Sequence, residues 1–383
     1  MIEALTDLAY IIAALAGGAF GAAIGPLPAF VFTGFMVIAG EASAIAGGGG
    51  AITDEIAFGP AFSPAVSFAG GVAATAYAAK KGYMDGFEDD YHQAKNIAQA
   101  LGTKPDVLVV GALFGVLGYW LTVASEGLGM PYDPIAMGVV LSAIFHRLIL
   151  GYSIIGKVRG SGILDMSPFE RGERRTSADG GSKVVDSNAA TDETPEGGDA
   201  ITPDKKDRGD EASAGRFTVE PWLPHQYKWG HVATLGLFVG ILGAWIAIMT
   251  ESAFLGFGIS AASLLFLNLG IEKVPVTHHI TLPAGTAAMA VYDFGGSDFY
   301  DTDLVSYQEG AVLAAQSAEV ALVVGLVFGV ICALFGELFQ RVFYAHGDTH
   351  VDPPAAAIVF GTFLVALLYV VGVFPHTVWV PWF

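Results

Sequence analysis

Two stretches of the chain gather the residues able to do chemistry. The first is Val274 to Gly285, read VPVTHHITLPAG, which carries the hydroxyls Thr277 and Thr281 and the adjacent imidazoles His278 and His279, with Thr286 just beyond. The second is Phe62 to Ala76, read FSPAVSFAGGVAATA, with Ser63, Ser67, Gly70 and Gly71. Neighbouring histidines on one helix point about 100° apart and make a poor metal chelate. No HExxH motif supplies a better one, so no metal is expected. The imidazoles are left with two roles, a hydrogen-bonded structural one or contact with an anionic solute or coupling proton, because ionisable groups inside a membrane are functional candidates. The hydroxyls likewise either cap and back-bond their own helices or surround a site. If each stretch opens a helix, its free N–H groups and positive dipole end can hold an anion without a full buried charge.

The elements that must carry these residues are apolar. The chain has 383 residues, of which 53% are hydrophobic and 14% charged, and its mean hydropathy is +0.56. Its apolar residues fall in runs of spanning length near 8–25, 28–47, 59–79, 107–125 and 134–155, then 230–249, 253–271, 274–292, 320–340 and 354–374. The expected fold is an all-α polytopic membrane protein of about ten transmembrane helices. Pro275, Pro283 and Gly285 interrupt the eighth run, and Pro64 with Gly70 and Gly71 the third. Interrupted membrane helices are tolerated where protein or a cavity satisfies the freed backbone, which makes the third and eighth helices the expected substrate site.

The two stretches are copies. A shift of 214 positions lays Gly71, Ala73, Ala74 and Ala76 on Gly285, Ala287, Ala288 and Ala290, and Ser67 on Thr281. The same shift sets LVVGALFG (108–115) on LVVGLVFG (322–329), identical at six of eight positions. Five residues further offset, Asp133-Pro134 falls on Asp352-Pro353, each read as an N-cap and first helical proline. The chain therefore divides into a first five-helix repeat (1–155), a linker (156–228) and a second five-helix repeat (229–383), a tandem duplication of roughly 150-residue units. Five crossings per repeat, an odd number, force the two copies into opposite orientations, the inverted-repeat plan of many secondary transporters. The linker is charged and almost without apolar residues, which predicts a disordered tether.

Charge sets the expected orientation. All 18 Lys and Arg residues lie in the segments that face the cytoplasm if both termini are outside, or at helix ends beside them. The multi-pass chain then sits in the cell membrane with its linker cytoplasmic. The net charge of −19 resides in loops and linker and fits solubility at very high salt, as in an extreme halophile of the haloarchaeal type, or simply an acidic protein that avoids anionic partners; both readings argue against nucleic-acid partners. Glycine-rich runs, GGAFGAAIG (17–25) and GGVAATAYA (70–78), are suited to close helix packing in lipid. The single cysteine, Cys332, has no disulfide partner within the chain. Tyr292-Asp293 matches half of an intramembrane aspartyl-protease signature, but the GxGD half is absent, and no Walker A motif is present, so neither an enzyme nor an ATP-driven pump is expected and no cofactor is called for.

IGPLPA (24–29), SPAVSFAGG (63–71) and ITLPAGTAA (280–288) resemble the glycine-proline motifs of the large membrane subunit of tripartite tricarboxylate transporters, with Pro-Ala standing where that family has Pro-Gly. The resemblance implies cation-driven uptake of a carboxylate, with a small membrane subunit and an external binding protein as partners. The reading from the residues is a secondary permease for a small polar or anionic solute, coupled to a cation. The alternative is a membrane scaffold or oligomeric assembly protein in which the interruptions only pack. Lipid contact belongs to both readings, and homo-oligomerisation is open in both.

Overall fold

The computed structural model describes residues 1–84, 90–175, 215–295 and 307–382. Among them the regular structure is helical, with two isolated β-bridges, Arg174 to Phe217 and Tyr292 to Gln316. Each of the ten apolar runs becomes a helix: α1 Leu8–Ile24, α2 Pro26–Ile45, α3 Ala69–Lys80, α4 Pro105–Gly127, α5 Pro134–Leu150, α6 Trp229–Thr250, α7 Leu255–Asn268, α8 His278–Val291, α9 Ala318–Phe339 and α10 Pro353–Val370. Five of these, α2, α4, α6, α9 with its π-turn extension, and α10, are long and apolar enough to cross a membrane.

Local chemistry sets the helix starts. Asp133 accepts from the amides of Ile135 and Ala136 at 2.8 and 3.0 Å, and Asp352 from that of Ala355 at 2.9 Å, each ahead of a proline at the first helical position. Gly151, at φ 71°, closes α5 in the left-handed conformation that a side chain resists.

The expected interruptions take a more specific form. A π-helical turn, Pro64–Phe68, runs straight into α3, so the first lies at a helix start with Ser63 as its cap position. The second also precedes its helix. α8 begins at His278 after cap residue Thr277 and passes through Pro283 without ending, which corrects the expectation of a helix broken at that proline. Gly361 of α10 packs beside that proline: a Cβ there would lie 2.6 Å from the Pro283 ring, so the glycine makes room for it. All of α8 is buried, which is the environment a helix apolar on every face requires. Ser63 and Thr277, the two cap positions, are themselves 214 apart.

The same pairs of helices pack in each half, α1 with α3 and α4, and α6 with α8 and α9. Gly18 of α1 faces Gly115 of α4, with 2.8 Å from its missing Cβ to the Cα. Gly240 of α6 faces Gly329 of α9 at 2.9 Å in the same sense. Glycine permits these backbone approaches, which in lipid are a main source of helix association.

Between the halves, corresponding helices meet each other. Along α2 and α7, Gly34 abuts Ala262, Gly258 lies 2.8 Å from Val37 in the same Cβ sense, and the Ser252 hydroxyl donates to Glu41. Numbers rise on one helix as they fall on the other, so the pair is antiparallel. Along α5 and α10, Asp133 pairs with Thr362 and His146 with Thr349, again antiparallel.

The ends of the expected tether are folded. Met166, Val219 and Tyr227 bury together against Ala345, and Arg341 at the end of α9 donates to the carbonyls of Leu164 and Tyr227 at 2.6 and 2.9 Å. Apolar and buried charged residues in 156–175 and 215–228 hold these segments against the second half, which corrects the tether's boundaries. The rest of the linker lies outside the described residues.

Candidate functional site

The two halves enclose a cavity of about 680 Å³, within the range that holds a small organic ligand. Its wall is built from α2, the π-turn, α5, α7, α8 and α10, closed by segments 95–98, 222–223 and 379–382. Each half contributes one helix start, through Pro64 and Phe68 on one side and His278 and Leu282 on the other.

Aromatic rings form a continuous path along it. Trp379 lies 5.0 Å from Phe254, Phe254 5.2 Å from Phe58, and Phe58 5.9 Å from Phe257, centroid to centroid. From Phe257 the path runs 5.8 Å to Phe30, 5.7 Å on to Phe68, then 5.7 Å to His350 and 5.4 Å to Tyr344. Phe30 also bridges the two helix starts, since its ring stands 4.8 Å from His278.

Few polar groups interrupt this surface. His278 is buried and its Nδ1 has no hydrogen-bond partner. His350 sits 3.3 Å from Asp352 through Nε2 and leaves its own Nδ1 without a partner. Asp133 and Glu126 complete the acidic part of the wall. At the closing segments, Lys95 pairs with Glu220 at 2.8 Å, both side chains almost fully enclosed, and donates to the Tyr344 carbonyl at 2.9 Å while lying 4.3 Å from that ring's centre. Burial pushes the Lys95 ammonium down to about 8 against the opposing pull of Glu220. Arg147 stands behind the wall with its N–H groups spent on Thr349 and on the carbonyls of Phe343 and Ile154.

Of the ten residues expected from the sequence to bind the substrate, only His278 lines the cavity. The Ser63 hydroxyl is buried without a partner. Ser67 donates to the carbonyls of Phe62 and Ser63 at 3.2 and 3.3 Å, and Thr281 to that of His278 at 3.3 Å. Thr286 donates to Leu282 and accepts from the Trp379 indole, both at 2.9 Å, and Thr277 shares 2.6 Å with Ser260. Gly70 and Gly71 admit the backbones of Gly111 and Gly21, Gly285 sits against Ala247, and His279 turns toward Gly336 and Trp222. Ser67, Thr281 and Thr286 thus bond back within their own helices, Thr277 bonds across to α7, and the glycines pack. The residues that do line the cavity include Asp133 and Asp352, whose duplicated Asp-Pro signal marked them only as caps.

The architecture is that of an all-helical protein with membrane-length apolar helices around an internal, aromatic-walled cavity. The chain belongs to a family described as a family of unknown function, DUF7973, whose model matches residues 1–383. Comparison with curated proteins and with solved structures gives no match.

Proposed function

We propose that the protein is a secondary permease whose solute occupies the cavity between the halves. The observation that carries this reading is that corresponding helices of the two copies, α2 with α7 and α5 with α10, pack antiparallel across a cavity walled by both. Antiparallel contact between equivalent elements is what a two-fold axis in the membrane plane produces, and it supports ten crossings in two inverted repeats with both termini outside. Rocking one half against the other would then expose the same wall to either side. The absence of a P-loop in the sequence makes an ion gradient the energy source, with a cation as coupling ion.

One observation favours the scaffold reading: most of the hydroxyls around the helix starts are internally satisfied, as a packing role requires. Reconstitution separates the two. The full chain in proteoliposomes, given an imposed sodium or proton gradient and a panel of labelled organic cations, anions and zwitterions, is expected to accumulate at least one. Equal counts in protein-free vesicles across the panel would leave the scaffold reading in front.

A further inference from the structure

We infer that the cavity takes an organic cation with an apolar, ring-sized body, an assignment that rests on the permease reading and reverses the solute charge expected from the helix starts. Three features of the wall converge on it. The first is the aromatic path itself, since ring faces attract cations and desolvated sites strengthen that attraction.

The second is the balance of charge. Asp133, Asp352 and Glu126 line the cavity, and the one Lys or Arg side chain in its wall among the described residues, Lys95, is already neutralised by Glu220. An anion entering would meet three carboxylates and no uncommitted ammonium or guanidinium. The helix starts of α5 and α10 are occupied by their own aspartates, while those at Ser63 and Thr277, which carry no side-chain cap, have the Phe30 ring packed between Phe68 and His278. Asp133 uses Oδ1 for both capping bonds, so its second oxygen is available as counter-ion.

The third is His278. Its ring is about nineteen-twentieths buried, lines the cavity, and has an unpartnered Nδ1. A neutral imidazole there accepts a hydrogen bond from a substituted ammonium, or presents its ring to a quaternary one. The volume accommodates a phenyl ring with an alkylated nitrogen and leaves space for movement.

The test uses the full chain in lipid nanodiscs, with benzyltrimethylammonium as probe and 3-phenylpropionate as its anionic counterpart. Binding is read by tryptophan fluorescence, since Trp222, Trp379 and Trp382 lie in the wall, and confirmed by calorimetry. Saturable binding of the cation is expected, weakened about tenfold or more by Asp133→Asn, which keeps the helix cap because Asn caps as well as Asp. Phe257→Leu is expected to weaken it too, whereas Glu319→Gln, at an exposed carboxylate outside the cavity, leaves it unchanged. Absence of saturable cation binding, or identical affinity in wild type and Asp133→Asn, would overturn the inference. Binding and uptake of 3-phenylpropionate in preference would overturn it while leaving the permease reading intact. Saturable cation binding with no uptake in proteoliposomes would uphold the site and end the permease reading instead.

Discussion

The backbone N–H of Asp133 donates to the Thr362 hydroxyl at 2.9 Å across the boundary between the two halves. Asp133 opens α5, and Thr362 lies inside the equivalent helix of the second copy, so one bond ties a helix start to its duplicate. Thr362 also back-bonds to Ile358 at 2.8 Å, which fixes its rotamer for the task.

Thr362→Val removes that acceptor with little change of shape and leaves a buried N–H unpaired. The expected loss of stability is about 1–3 kcal/mol. Thr234→Val is the control, because its hydroxyl serves only the Gly230 carbonyl on an exposed face and should change stability by less than about 0.5 kcal/mol. Denaturant unfolding in the same detergent compares them, and equal midpoints would show that the cross-half bond carries no load.

Glu220→Gln leaves the Lys95 ammonium buried beside an uncharged amide. Breaking a buried pair from one side costs about 3–5 kcal/mol, whereas replacing both partners with apolar residues is often near neutral. Lys95→Met with Glu220→Leu should therefore be more stable than Glu220→Gln alone. The opposite order in thermal unfolding would mean that the pair is water-accessible and weak.

His92 gives a pH signature. Its Nδ1 accepts from the Ala94 amide at 3.1 Å, which requires the neutral ring, and burial, with Arg216 nearby, pushes its pKa down to about 4. As pH falls from 6.5 toward 4 the unfolded chain binds a proton that the folded chain refuses, so stability declines through that window by at most roughly 3 kcal/mol. His92→Asn keeps an acceptor for Ala94 and should flatten that part of the profile. Superimposable melting curves against pH for wild type and variant would contradict this.

Some of this was legible in the sequence because it is local. An apolar run with an Asp-Pro start declares its helix wherever it packs, so all ten helices and the caps of α5 and α10 could be read directly, and the duplication placed Ser63 and Thr277 in register. The cavity was not legible, because Phe30, Phe68 and Phe257 look like any lipid-facing aromatic until the two halves close around them. Lys95 and Glu220 stand 125 positions apart, with nothing local to mark them as partners. The serine and threonine hydroxyls misled in the other direction. A helical hydroxyl has a carbonyl within reach one turn back, and Ser67 and Thr286 take that bond rather than face a solute.

The central claim, that the cavity is exposed alternately to both sides of the membrane, is tested most directly by thiol access at Ala136, a small buried residue of its wall. Ala136→Cys is labelled with a membrane-impermeant methanethiosulfonate in right-side-out and inverted vesicles, wild type serving as control because Cys332 is fully buried. The account predicts reaction from both faces, slowed by benzyltrimethylammonium. A cysteine that reacts from one face only, or from neither, would contradict it.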